Sequence, residues 1–175
     1  MNRMQLEHVL RASAVITTDT SFVVIGSQAV LLPFPNAPAD LLMSNELDRY
    51  PALHPERAEM IEGAIGQLSM FHDTFGYFAD GVGPDTAVMP DDWAEFAKLY
   101  YVGELTAMSP DLHDIAVSKC VAGRDKDADW VRGVLRYKMI DFARLEQRLR
   151  ALDASKMPVE TYVAWANRRA LEATP

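Results

Sequence analysis

With 175 residues, 49% of them hydrophobic and 24% charged, the chain has the balance of a folded protein with a core of ordinary size and not of a disordered one. A net charge of -8 argues against a broad basic surface that grips duplex DNA by counterion release. The longest apolar stretches, around Phe22 to Ile25 and Ala29 to Phe34, are far too short to span a bilayer. The amphipathic start "MNRMQLEHVLRAS" has no signal-peptide core, so the expectation is a cytoplasmic protein with no membrane partner.

Leu6, Val9, Leu10 and Ala14 recur at helical spacing and predict a helix over 3–14. "FVVIG" is short, β-branched and apolar, the pattern of a buried central strand that stops at a glycine. "SQAVLL" then opens a helix with Ser27 as N-cap, until Pro33, Pro35 and Pro38 turn the chain into a loop. "LLMSNELD" reads as a second strand. The run "HPERAEMIEGAIGQLSMF" places Pro55 at a first helical position and Met60, Ile61, Ile65 and Leu68 on one side, which is a helix.

From Thr74 the glycines and aromatics of "TFGYFADGVGPDTAVMP" predict two short strands joined by a Gly-Pro-Asp turn, with a further strand near Ala97 to Val102. After that the pattern is helical. "SPDLHDIAVSKCVAGRDKD" offers Ser109 as N-cap, Pro110 as first residue and Gly123 as stop. "ADWVRGVLRYKM", "DFARLEQRLRAL" capped by Asp141, and "PVETYVAWANRRALEA" led by Pro158 follow. The fold class predicted is α+β, with an α/β-type core over 1–108 and a helical part over 109–175.

Three groups of residues could carry chemistry. In a strand, Glu46 and Asp48 point to the same face about 7 Å apart, a spacing at which two carboxylates can converge on Mg²⁺. Two solvated acids on an open strand explain the same pattern. Gly26-Ser27, at the end of a strand and the start of a helix, offers free N–H groups and a hydroxyl to an anion such as a triphosphate, or simply a tight turn and a cap. There is no Walker pattern and no GxGxxG.

Lys119, Arg124, Lys126 and Asp127 form the third group, with Lys119 near the apolar face of its helix; they suit either phosphate neutralisation or a charged helix junction. His8, His54, His72 and His113 lack metal-ligand spacing, and Cys120 has no Cys or His partner set for zinc and reads as a buried hydrophobe. Tyr77, Phe78 and Trp130 read as core aromatics, with stacking on a base as the alternative.

"VVIGSQA", "SNELDRYP" and "DLHDIAVSKCVAGRDKDADWV" together resemble bacterial nucleotidyltransferase-like proteins of the polymerase β superfamily, akin to the toxins of AbiE-type toxin–antitoxin systems, over roughly Asn2 to Leu149. The resemblance implies a small mixed sheet flanked by helices. It also implies Gly26 and Ser27 on the triphosphate of a nucleotide, with Glu46 and Asp48 on Mg²⁺ or Mn²⁺ and a third acid that we match to Asp80, with Asp73 behind it. Lys119, Arg124, Lys126 and Asp127 match the lysine and the Arg-x-Lys-Asp run of the toxin-like group, where they serve substrate binding or catalysis. The activity implied is transfer of a nucleoside monophosphate from a nucleoside triphosphate to a hydroxyl of RNA, protein or a small molecule, with a cognate antitoxin as partner. Two departures stand out: eighteen residues separate Ser27 from Glu46, more than is usual, and the first acid is Glu where Asp is typical. The alternative is therefore a member that keeps the fold as a binding or regulatory protein without catalysis.

Overall fold

The structure, a computed structural model, describes residues 1–173. In chain order the elements are α1 (Arg3–Thr17), β1 (Ser21–Val24), β2 (Glu46–Pro51), α2 (Ala58–Ile65), α3 (Met70–Phe75), β3 (Phe78–Gly81), α4 (Trp93–Phe96), β4 (Lys98–Val102), β5 (Leu105–Ser109), α5 (Leu112–Ala122), α6 (Asp125–Arg136), α7 (Phe142–Arg150) and α8 (Val159–Ala173). This is the α+β class predicted, a mixed sheet with helices. The chain divides into two units, one of Met1–Thr86 with Ala97–Ser109 and one of Ala87–Phe96 with the chain from Pro110 onward.

The first unit holds the five strands in the order β3-β2-β1-β5-β4. β1 pairs antiparallel with β2 and parallel with β5; β2 pairs parallel with β3, and β4 antiparallel with β5. Alternation along the strands sends Phe22, Val24, Leu47, Ala79 and Ala107, all buried, to one face, against which α1 and α2 pack. α1 starts at a capping box in which Asn2 and Gln5 satisfy each other's backbone N–H, and it buries Leu6, Val9 and Leu10. α2 lies so close to the sheet edge that a Cβ on Gly81 would overlap the carbonyl of Ala58.

Several local expectations are corrected. Gly26, with φ +71, precedes the 3₁₀ turn Ser27–Leu31, so Ser27 is the first residue of that turn and not its cap. The second strand begins only at Glu46 and runs through Pro51, while Ala39–Leu41 forms a 3₁₀ turn. The helix expected over 54–71 is cut at Gly66, whose N–H closes on the Glu62 carbonyl, and α3 starts anew from a Ser69 cap. Only one strand, β3, forms in "TFGYFADGVGPDTAVMP", because Pro84–Thr86 winds into a 3₁₀ turn. β5 was not foreseen, and the N-cap of α5 is Asp111 in place of Ser109, because Ser109 is still in β5.

In the second unit α5 to α8 pack on one another, with Ile115, Val131, Val134, Leu145 and Leu149 fully enclosed. Gly123 ends α5 in the left-handed region and Asp141 caps α7, both as predicted. Arg148 ties the excursion that carries α4 to this bundle. Its guanidinium donates to Asp114 on α5 at 2.6 and 3.1 Å and to Asp92 at 2.8 and 3.2 Å, and it stacks over the Phe96 ring.

Candidate functional site

The end of β1 and the start of β2 build the site. Antiparallel pairing sets Val24 against Arg49 and continues through Ile25, whose N–H donates to the Asp48 carbonyl. Gly26 then turns the chain with φ +71 and ψ -171, a conformation open to glycine and strained for other residues. A Cβ at Gly26 would fall on the Asp48 carboxylate, so the absent side chain is what lets this carboxylate lie against the turn.

Glu46 and Asp48 occupy one face of β2, half-buried, and Leu47 and Arg49 the other, fully buried. The parallel partner β3 places Asp80 directly opposite Asp48 and Phe78 opposite Glu46. Asp80 hydrogen-bonds Asp48. Burial and the charges of Glu62 and Glu46 push the Asp80 carboxyl above its ordinary value, against the hydrogen bond from Asp48 and the charge of Arg49. Two ionised carboxylates repel, so the upward shift of Asp80 fits its place beside Asp48, Glu46 and Glu62. Asp73, the alternative third acid, is exposed on the first turn of α3. Among the described residues no three His, Cys, Asp or Glu side chains converge tightly enough to hold a metal ion as they stand.

Two residues of this site were not singled out from the sequence. Glu62 on α2 accepts the N–H of Gly81 at 3.1 Å and is the strongest charge acting on both Asp80 and Arg49. Arg49 lies behind the acids, with no exposed surface. It donates to the Ser13 hydroxyl of α1 and to the Leu47 carbonyl, and its Nε has no partner. Burial lowers its pKa to about 9, opposed by the charges of Glu62, Asp48 and Asp80. An arginine in a strand reads as exposed from sequence, and only the parity of β2 turns it inward. Gln28, next to Ser27, is also enclosed, with both amide atoms lacking a partner.

The third constellation belongs to the second unit. Asp127 is fully buried and accepts from Lys119 Nζ at 3.0 Å and from Arg124 Nε at 2.6 Å. Burial would raise its pKa, but the hydrogen bond from Arg124 and the charge of Lys119 hold it below the ordinary value. Lys119 is itself largely buried, 5.5 Å from the centre of the Trp130 ring, whereas Lys126 is exposed on the first turn of α6. Asp127 is thus the clamp on which two cations converge.

The remaining candidates have structural partners. His8 bonds the Tyr77 hydroxyl at 2.7 Å inside a cluster with Phe71 and Phe75, and His54 donates to the buried Asp19 at 2.6 Å. His72 accepts the N–H of Leu68 and packs on Phe78, while His113 is held by Asp111. Cys120 is buried, and its thiol is pushed up to about 12, which leaves it unreactive.

A family model described as nucleotidyltransferase of unknown function (DUF6036) matches residues 4–169. The chain belongs to this family. In this nucleotidyltransferase family member the match spans β1 with its Gly-Ser turn, the acids of β2 and β3, and the Lys119 to Asp127 junction alike. Neither the curated proteins nor the solved structures gave a match. No helix among the described residues is long and apolar enough to cross a membrane.

Proposed function

We propose that the chain transfers a nucleoside monophosphate from a nucleoside triphosphate to an acceptor hydroxyl, with release of pyrophosphate. The observation that carries this is the meeting of Asp48 with both the Gly26 turn and Asp80 across the β2–β3 pair, on the face that also bears Glu46. The donors fit a hard divalent cation in kind, being all carboxylate oxygen, and Asp48 and Asp80 face each other directly across the strand pair. Glu46, Asp48 and Asp80 would hold Mg²⁺ or Mn²⁺. Bound there, the metal would neutralise phosphate charge and stabilise the leaving pyrophosphate.

The chain's own residues do the rest. The backbone after Gly26, with the Ser27 hydroxyl, presents donors to the triphosphate. Arg49 sets a positive charge behind the carboxylates and offsets part of their mutual repulsion. In the second unit Asp127 orients Lys119 and Arg124, and by the resemblance this group, with Lys126, serves substrate binding or catalysis. The acceptor is a hydroxyl of RNA, a protein or a small molecule, in a cytoplasmic reaction. By its resemblance to AbiE-type toxins we extend the proposal to a toxin controlled by a cognate antitoxin.

A second reading, a binding protein that has lost catalysis, is favoured by the Glu at position 46 and by the absence of a closed three-acid cluster among the described residues. The test incubates wild-type and Asp48→Asn protein with bacterial RNA and protein extract, Mg²⁺ or Mn²⁺, and each α-labelled nucleoside triphosphate. Label on a macromolecule with wild type alone supports transfer and names the acceptor class. No label, together with no calorimetric Mn²⁺ binding that Asp48→Asn abolishes, establishes the non-catalytic reading.

A further inference from the structure

The two edges of the sheet are treated differently. The β3 edge carries Asp80 and has α2 closely packed on it at Gly81. The other edge, β4, is guarded only by its shortness and by the exposed Lys98 at its start. Its five residues contain no proline, and its register with β5 runs without a bulge from Lys98↔Ser109 to Val102↔Leu105. Leu99 and Tyr101 lie on the same face of β4 with 52% and 72% of their surface exposed.

The charges flanking this edge say what covers it. Lys98 stands exposed at one end, and the exposed Glu104 lies just past the other, in the turn to β5. Around a two-fold axis at Tyr100, an antiparallel copy brings Leu99 opposite Tyr101 twice on one face. It also sets Lys98 opposite Val102, next to the turn that carries Glu104, at both ends. A parallel copy would instead set Lys98 beside Lys98. The strand is therefore complementary to itself in charge and in apolar pairing, in one direction only.

We propose that β4 pairs with β4 of a second copy, joining two five-stranded sheets into one continuous sheet of a C2 dimer. The contact is modest. A five-residue edge falls short of the roughly 1,200 Å² of a stable complex, so the dimer is weak and forms only towards the upper end of a concentration series. This inference is independent of the catalytic reading.

The test is sedimentation velocity of the full chain over a concentration series at about 0.15 M salt, where long-range repulsion between two chains of charge -8 is screened. Wild type is expected to show a reversible monomer–dimer equilibrium. Tyr101→Lys and Leu99→Lys are expected to be monomeric at every concentration with unchanged melting, since both side chains are exposed; either suffices if the other fails to fold. Lys98→Glu and Glu104→Lys should each raise the dimer Kd about tenfold, and the double exchange should restore it. A monomeric wild type, or a dimer indifferent to Tyr101→Lys or Leu99→Lys, overturns the proposal. A double exchange no tighter than the single variants overturns the antiparallel self-pairing.

Discussion

Replacing Gly26 by alanine probes the contact on which the site is built. Gly26 has φ +71 and ψ -171, a region used almost only by glycine, and forcing another residue into it costs about 1–3 kcal/mol. The new Cβ would also occupy the place of the Asp48 carboxylate, and such overpacking costs a further 1–3 kcal/mol or so. The sum, about 2–6 kcal/mol, is a large share of the roughly 5–15 kcal/mol that holds a domain together. Urea unfolding followed by circular dichroism measures it. The two parts separate in a double-mutant cycle with Asp48→Ala, which removes the overlap and leaves the backbone strain. The cost of Gly26→Ala should then fall by about 1–3 kcal/mol. A Gly26→Ala variant within about 0.5 kcal/mol of wild type, or additive effects with Asp48→Ala, would refute the placing of Asp48 on the Gly26 turn.

Arg148→Ala should destabilise the second unit by about 3–5 kcal/mol, because the fully buried Asp114 loses the guanidinium that pairs with it; thermal unfolding of this variant against Arg148→Lys measures the effect. Burial pushes the Asp111 carboxyl up, but the His113 ring and N–H and the charge of Arg144 outweigh it and hold it at about 2, against an ordinary 3.8. A lowered carboxyl stabilises above its unfolded value and loses that contribution as the pH falls through the folded one. Asp111→Ala should therefore cost about 1–2 kcal/mol at pH 6, screening allowed for, with the deficit shrinking between pH 4 and pH 2 or so; urea midpoints across that range would show it. Leu68 sits in the left-handed region at φ +65 with its side chain 82% exposed, so Leu68→Gly should be neutral or stabilising by up to about 1 kcal/mol, and a lower melting temperature would show that this side chain has a packing role.

Where a signal lies within a few residues, the sequence was legible. Gly123 after an apolar helical stripe and Asp141 three residues ahead of Arg144 are local devices, and each stands where its chemistry places it. The Gly26–Ser27 turn and the acids of β2 were legible for the same reason. β5 escaped because "LTAMS" is neither consistently apolar nor cleanly alternating, and its strand character comes from parallel pairing with β1 and antiparallel pairing with β4. Asp111 escaped as a cap because Ser109, the better-looking candidate, is still in β5.

The sequence by itself determined the class of the fold, the turn at Gly26, and which face of β2 carries Glu46 and Asp48, since period and turn chemistry are properties of neighbours along the chain. Only the tertiary structure decided which distant groups those acids meet. It set Asp80 against Asp48 through the register of a parallel strand pair, and brought Glu62 beside Asp80 because α2 packs down on Gly81. It also turned Arg49 inward beneath them and made Asp127 the buried partner of Lys119 and Arg124. Ion pairs and contacts between carboxylates depend on separations of a few ångströms across elements, and those separations exist only once the sheet and the helices have packed.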